Sequence, residues 1–183
     1  AACLKLLQAH ASTRERIPLL DSFYPRLWEV TELPSSLLDL ACGLHPFSLP
    51  WMGLSKESQY YAYDIHAPRI ALINEFFQLA AQTGAAFNQD ILVQPPQLQA
   101  DVALFLKEPY RFEKRQRGCN LPFWQALQVR WLIISLPTAS LRGSRDILER
   151  QRRMIYNILR ETDWPVTEIP FDNELVFCIR KDG

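Results

Sequence analysis

The feature that most constrains this chain is Leu37-Leu38-Asp39-Leu40-Ala41-Cys42-Gly43-Leu44-His45-Pro46, with Tyr60-Tyr61-Ala62-Tyr63-Asp64 following after a short interval. An apolar strand runs into a glycine turn, and a second strand ends in a carboxylate. An open parallel α/β sheet presents a nucleoside in this way. The turn lets backbone approach the ligand, and the acid at the tip of the neighbouring strand accepts hydrogen bonds from ribose hydroxyls. Gly43 stands alone between Cys42 and Leu44, so no run of backbone N–H groups is offered to a pyrophosphate. The pattern predicts a nucleoside ligand without phosphates, and S-adenosylmethionine is the commonest such cofactor. A nicotinamide-dependent oxidoreductase is disfavoured on the same ground.

The rest of the chain alternates strand and helix signals. Strands are expected at 36–41, 60–65, 85–88, 101–106, 131–136, 166–171 and 175–180. Helices are expected at 68–83, 112–128 and 145–161, with a shorter one near 46–54. Residues 4–20 have helical spacing with a break near Ser12 or Thr13, and 21–31 form a second helix closed off by Pro34. Parallel strands separated by helices specify a doubly wound α/β sheet with helices on both faces. The short turn Asp172-Asn173-Glu174 makes the last two strands an antiparallel hairpin, which is the sheet order of class I methyltransferases, a Rossmann-like fold. The expected organisation is a pair of N-terminal helices (1–34) packed on one cofactor domain (35–183).

With 183 residues, 48% of them hydrophobic and 22% charged, the chain is long enough for one domain with a full core. Four cysteines and three histidines lie far apart without metal-ligand spacing, so reduced thiols, no metal and a cytoplasmic setting are expected. No apolar run approaches a membrane span, and no membrane partner is expected. The start, Ala1-Ala2-Cys3, lacks an initiator methionine and the layout of a signal peptide, which suggests a fragment of a longer protein. Twenty basic residues balance 20 acidic ones, which argues against a free-standing nucleic-acid binder. The charge is uneven, however. Residues 107–117 and 142–153 each hold five basic residues against two acids, as solvated helix faces or as binding surfaces.

Several residues stand where chemistry would need them. Asp64 ends its strand with no basic residue beside it, where a ribose acceptor belongs, or it caps the following helix. Asp90 follows the third strand and reaches an adenine amino group or merely forms a turn. Lys107 and Glu108 follow the fourth strand at the edge where such sheets react, and Tyr110 brings a ring to the same rim or joins the core. His10 has apolar neighbours and reads as a hydrogen-bonded packing residue. His45 and His66 each follow a strand and could line a pocket, with nothing to make either a base.

The segment His10-Ala11-Ser12-Thr13-Arg14-Glu15-Arg16 moves the expectation to a specific family. Taken with 38–46, Tyr63-Asp64-Ile65-His66, Gln89-Asp90, Leu106-Lys107, Ile134-Ser135-Leu136-Pro137-Thr138 and Glu174-Leu175-Val176, it closely resembles the aminoglycoside-resistance 16S rRNA (guanine-N7)-methyltransferases. The resemblance runs from about His10 to Lys181. It implies an S-adenosylmethionine-dependent enzyme acting, as a monomer, on a decoding-site guanine of 16S rRNA within the small (30S) ribosomal subunit, and so aminoglycoside resistance. It implies that Arg16 binds the methionine carboxylate, that Gly43 lies beneath the cofactor, that Asp64 holds the ribose and Asp90 the adenine, and that Gln89 is among the cofactor-binding residues. Lys107 and Glu113 match positions near the target nucleotide, Glu174 matches one at the rim, and Arg145 is a shifted candidate for a target-contacting arginine. From the residues alone, Arg16 could equally pair with Asp21 or Glu15 on the surface. The chain departs from the family in Glu108-Pro109-Tyr110 after the lysine and in Gly143-Ser144-Arg145 after the fifth strand. The family's helical ribosome-docking extension would end just before Ala1. A non-catalytic or truncated module that holds S-adenosylmethionine on the same fold is therefore the alternative function.

Overall fold

In a computed structural model, residues 2–138 and 145–181 are described, residues 145–147 by their backbone alone. Seven strands form one sheet: β1 (Ser36–Leu40), β2 (Gln59–Asp64), β3 (Gly84–Asn88), β4 (Ala100–Leu106), β5 (Val129–Pro137), β6 (Val166–Pro170) and β7 (Glu174–Arg180). Their order is β3-β2-β1-β4-β5-β7-β6. The pairs from β3 to β5 are parallel, whereas β7 runs antiparallel to both β5 and β6. This is the class I methyltransferase sheet, with β1 and β4 at the point where the strand order reverses.

The helices are α1 (Ala2–Gln8), α2 (Ala11–Arg14), α3 (Leu20–Thr31), α4 (Leu49–Met52), α5 (Ala67–Ala80), α6 (Pro109–Arg115), α7 (Asn120–Ala126) and α8 (Arg145–Leu159). Alternation along each strand sends successive side chains to opposite faces. Leu37, Val102 and Val176 therefore join the core with Leu7, Phe23 and Leu27 of α1 and α3. Leu38, Ala103 and Phe177 join the other, with Trp124 of α7 and Ile155 of α8. The N-terminal helices thus pack directly on the sheet. No helix among the described residues is long and apolar enough to cross a membrane.

The break expected inside 4–20 occurs, at residues 9–10 rather than at Ser12 or Thr13, and the helix expected at 112–128 breaks as well. The segment 4–20 divides into α1, α2 and a 3₁₀ turn at Ile17–Leu19, with Pro18 in the turn. The segment 112–128 divides into α6 and α7 because Gly118 takes φ +76°, which a right-handed helix cannot contain. Glu113 stabilises this break by accepting from the Gly118 N–H at 2.8 Å and from Asn120 Nδ2 at 3.0 Å.

Gly84, at the start of β3, pairs in register with Tyr60. Its φ is +142°, and a Cβ there would lie 1.9 Å from the Tyr60 carbonyl oxygen. Gly84→Ala should therefore destabilise the protein by at least about 2 kcal/mol, since backbone must move on both strands. Urea denaturation measures the loss, and a midpoint equal to that of the wild type would contradict it.

Candidate functional site

A cavity of about 220 Å³ opens at the C-terminal ends of β1, β2 and β4. That edge beside the reversal of strand order is where open α/β sheets bind ligands. The chain leaves both central strands in unusual conformations: Ala41 after β1 has φ +52°, Gly43 has φ +57°, and Lys107 after β4 has φ +63°. Non-glycine residues in the left-handed region cost energy and persist where surrounding bonds hold them. Here the Cys42 N–H donates to the Tyr63 carbonyl at 2.9 Å, and the Lys107 N–H donates to the Ser135 carbonyl at 3.0 Å. A Cβ on Gly43 would meet nothing within 4 Å, so the glycine faces open space.

Asp64 ends β2 and is buried. Its carboxylate accepts from the Gly43 N–H at 2.9 Å and from the His66 N–H at 2.8 Å. Contrary to the expectation of an acid without a basic neighbour, Arg69 of α5 also donates to both its oxygens, at 3.0 and 2.9 Å. The sequence signal was present, because a residue in the first turn of the following helix faces back over the strand tip. His66 is the residue that caps α5, its Nδ1 accepting from the Arg69 N–H. Asp90 repeats the arrangement one strand further out, paired with Arg115 of α6 at 2.9 and 2.5 Å. The Arg115 hydrogen bonds hold its carboxyl below the ordinary value. Gln89 also lines the cavity, its amide donating to the Gln94 carbonyl.

Arg16 is 3% exposed and lines the same cavity. Its partner is neither Asp21 nor Glu15. Nε and Nη2 donate to the two oxygens of Glu174, at 3.1 and 2.5 Å, and the guanidinium lies over the Phe23 ring. Glu174 is correspondingly not at the rim but fully buried at the start of β7. Lys107 Nζ lies 3.7 Å from the Glu174 carboxylate and 2.7 Å from that of Glu15. Burial opposes the charge on Glu174, yet Arg16 and then Lys107 outweigh it, and its carboxyl lies below the usual 4.5. Burial likewise opposes the Arg16 charge and is overridden by Glu174, so its pKa is raised.

Arg16, Gly43, Asp64, Gln89 and Asp90 therefore surround one cavity, while Lys107 and Glu174 form the charged cluster that fixes Arg16. Glu113 is apart from them, in a groove beyond α6. The Arg145 side chain lies outside the described residues, as do Gly143 and Ser144.

Two histidines line the cavity, His45 as its place after a strand suggested, and both make contacts that the sequence did not specify. His10 is more than a packing residue: it lines the cavity while its Nδ1 bonds the Ser12 hydroxyl at 2.8 Å. Burial, followed by the charges of Arg69 and Arg111, lowers its pKa, which favours the neutral ring. His45 is buried in a polar chain beside the cavity. Its Nδ1 lies 2.8 Å from Asp39 Oδ2, which also accepts from the Tyr60 hydroxyl at 2.7 Å, and its Nε2 lies 2.8 Å from the Tyr24 hydroxyl. The residues come from four separate elements, and no local spacing announces them.

Residues 1–178 match the family model described as ribosomal RNA methyltransferase (FmrO). The chain belongs to this family. Among curated members, the 16S rRNA (guanine(1405)-N(7))-methyltransferase of Micromonospora rosea is 31% identical over 178 residues, 97% of this chain and 65% of that protein. The chain thus spans a little under two thirds of that relative's length. Among solved members, the 16S rRNA methyltransferase RmtF in complex with S-adenosyl-L-homocysteine superposes with a TM-score of 0.87 at 30% identity, over 98% of this chain and 68% of that one. An rRNA methylase from Escherichia coli gives 0.84 at 28% identity, over 98% and 70%. In this FmrO-family chain the Arg16–Glu174 pair ties the N-terminal segment to the start of β7.

Removing one partner of a buried ion pair strands the other charge, so Glu174→Gln should cost about 3–5 kcal/mol. A carboxyl depressed below 4.5 contributes stability that is complete above its unfolded-state pKa and is lost as pH falls through the folded value. The gap between wild type and Glu174→Gln in urea midpoints should be constant near neutrality and close only in acid. A gap that widens on acidification would contradict the assignment.

Proposed function

We propose that the cavity holds S-adenosylmethionine and that the protein methylates N7 of a guanine in 16S rRNA. The observation that carries this is a strand-end acid, Asp64, bonded to a lone glycine turn, Gly43, at the point where the strand order reverses. The donor set fits a nucleoside with an amino-acid tail. Carboxylates at Asp64 and Asp90 can accept from ribose hydroxyls and an adenine amino group, and Gly43 offers the open approach. A guanidinium can fork onto a carboxylate, and Glu174 fixes the plane of Arg16 by holding its Nε and Nη2. The bound cofactor supplies an electrophilic methyl group. Guanine N7 carries a lone pair and no proton, so its attack needs no general base, and what the protein must provide is in-line placement and tolerance of the new charge. The relatives named for guanine 1405 support the target, and we include in the proposal a small-subunit substrate, a monomeric enzyme and a cytoplasmic setting. We include in this proposal the N-terminal helices 1–34 as part of the cofactor-binding unit.

Asp64→Ala should weaken S-adenosylhomocysteine binding roughly ten- to a hundredfold by calorimetry, because a charged acceptor of two hydroxyls is removed. Arg69 competes for the same carboxylate, so Arg69→Ala should bind about two- to fivefold more tightly. Weaker binding in both variants would make Arg69 a ligand rather than a competitor. The activity itself is tested by transfer of labelled methyl groups to small ribosomal subunits from an unmodified strain. Modification mapped to a guanine N7 of 16S rRNA supports the proposal, and modification of another atom overturns it.

A further inference from the structure

The two basic runs, at 107–117 and 142–153, converge in the fold. The groove between α6 and α8 has a volume of about 640 Å³ and is lined by Tyr110, Lys114 and Arg117 on one side and by Arg150, Gln151 and Met154 on the other. Charge is sorted around it. Arg111, Arg115 and Arg152 are bound to Glu108, Asp90 and Glu168, respectively. Lys114, Arg117 and Arg150 form no ion pair with a carboxylate among the described residues, and all three are exposed. The groove's own acid, Glu113, is consumed by the turn at Gly118 and Asn120. Three cations without a carboxylate partner among the described residues thus meet at one groove.

The lining also offers more than charge. The Tyr110 ring is 46% exposed, with Lys114 Nζ 5.1 Å from its centroid. Gln151 Oε1 is buried without a hydrogen-bond partner, an acceptor that lacks a donor. Cations for phosphate, a ring for stacking and a buried acceptor for an amino group together match a nucleotide strand. Helix α6 separates this groove from the cofactor cavity: Arg111, Phe112 and Arg115 face the cavity, and Tyr110, Lys114 and Arg117 line the groove.

We infer that the α6–α8 groove is a subsite for the RNA nucleotides flanking the modified base, which would be presented over α6 to the cavity. This rests on the proposed RNA substrate and extends it to a specific surface. The test uses the whole 183-residue chain, a fluorescent single-stranded RNA and anisotropy across a salt series, with calorimetry of S-adenosylhomocysteine in parallel. Replacing both Arg117 and Arg150 by Ala should weaken RNA binding at least tenfold. It should also flatten the slope of log affinity against log salt by about 1.4, two contacts at about 0.7 each. Cofactor affinity should be unchanged. Tyr110→Ala should cost roughly tenfold in RNA affinity, and Tyr110→Phe should restore it. RNA affinity and salt slope in the double variant equal to those of the wild type would overturn the subsite. So would equal competition by a polyglutamate peptide. Failure of the wild-type chain to bind S-adenosylhomocysteine, with RNA binding intact, would instead overturn the cofactor assignment and leave the groove standing.

Discussion

The buried pair of Arg16 and Glu174 is the contact on which the site depends. The residues lie 158 positions apart in sequence, yet two hydrogen bonds join them where both side chains are buried. Desolvating two charges is costly, and the pair is favourable only because the guanidinium and the carboxylate meet edge to edge and Lys107 adds a second cation. The contact fixes the N-terminal segment, the end of β4 and the C-terminal hairpin relative to one another. The sheet already joins β4 to β7 through β5, whereas the N-terminal segment belongs to no strand and is held to that edge by this contact.

A second constraint comes from the backbone. Ala41 and Lys107 adopt left-handed conformations immediately after the two central strands, and each is followed or held by a bond to the next strand over. The strain lies where the chain must leave the sheet quickly enough to keep the strand tips open. Gly43 extends the same turn at no steric cost, and its N–H is spent on Asp64 rather than on a phosphate. A pocket built this way discriminates by shape and by carboxylate position, with little provision for a polyanionic cofactor.

Much of this was legible because it is local. Hydrophobic alternation located every strand to within two residues, and the polar turn before Glu174 announced the hairpin. The Gly43 turn and the Asp64 strand tip follow from the same short-range pattern. The errors arose where tertiary structure overrides local preference. Helical spacing across 112–128 conceals the left-handed Gly118 and the Glu113 bonds that end α6. The positions of Glu174 and Arg16 depend on a contact across nearly the whole chain. The pairing of Asp64 with Arg69 and of Asp90 with Arg115 depends on which way a helix leaves its strand. Charge counts could not separate committed arginines from free ones, because that distinction exists only after folding.

Helix α6 has a consequence for how ligands act on one another. Its last residue, Arg115, is clamped to Asp90 in the cavity wall, and two residues beyond its end Arg117 lines the groove. Any molecule that takes Asp90 from Arg115 frees one restraint on this two-turn helix, and any polyanion that draws on Arg117 pulls on the same piece of backbone. Any coupling between the two sites that runs through this stretch of chain is reciprocal. Whatever factor the first ligand applies to the affinity of the second, the second must return to the first.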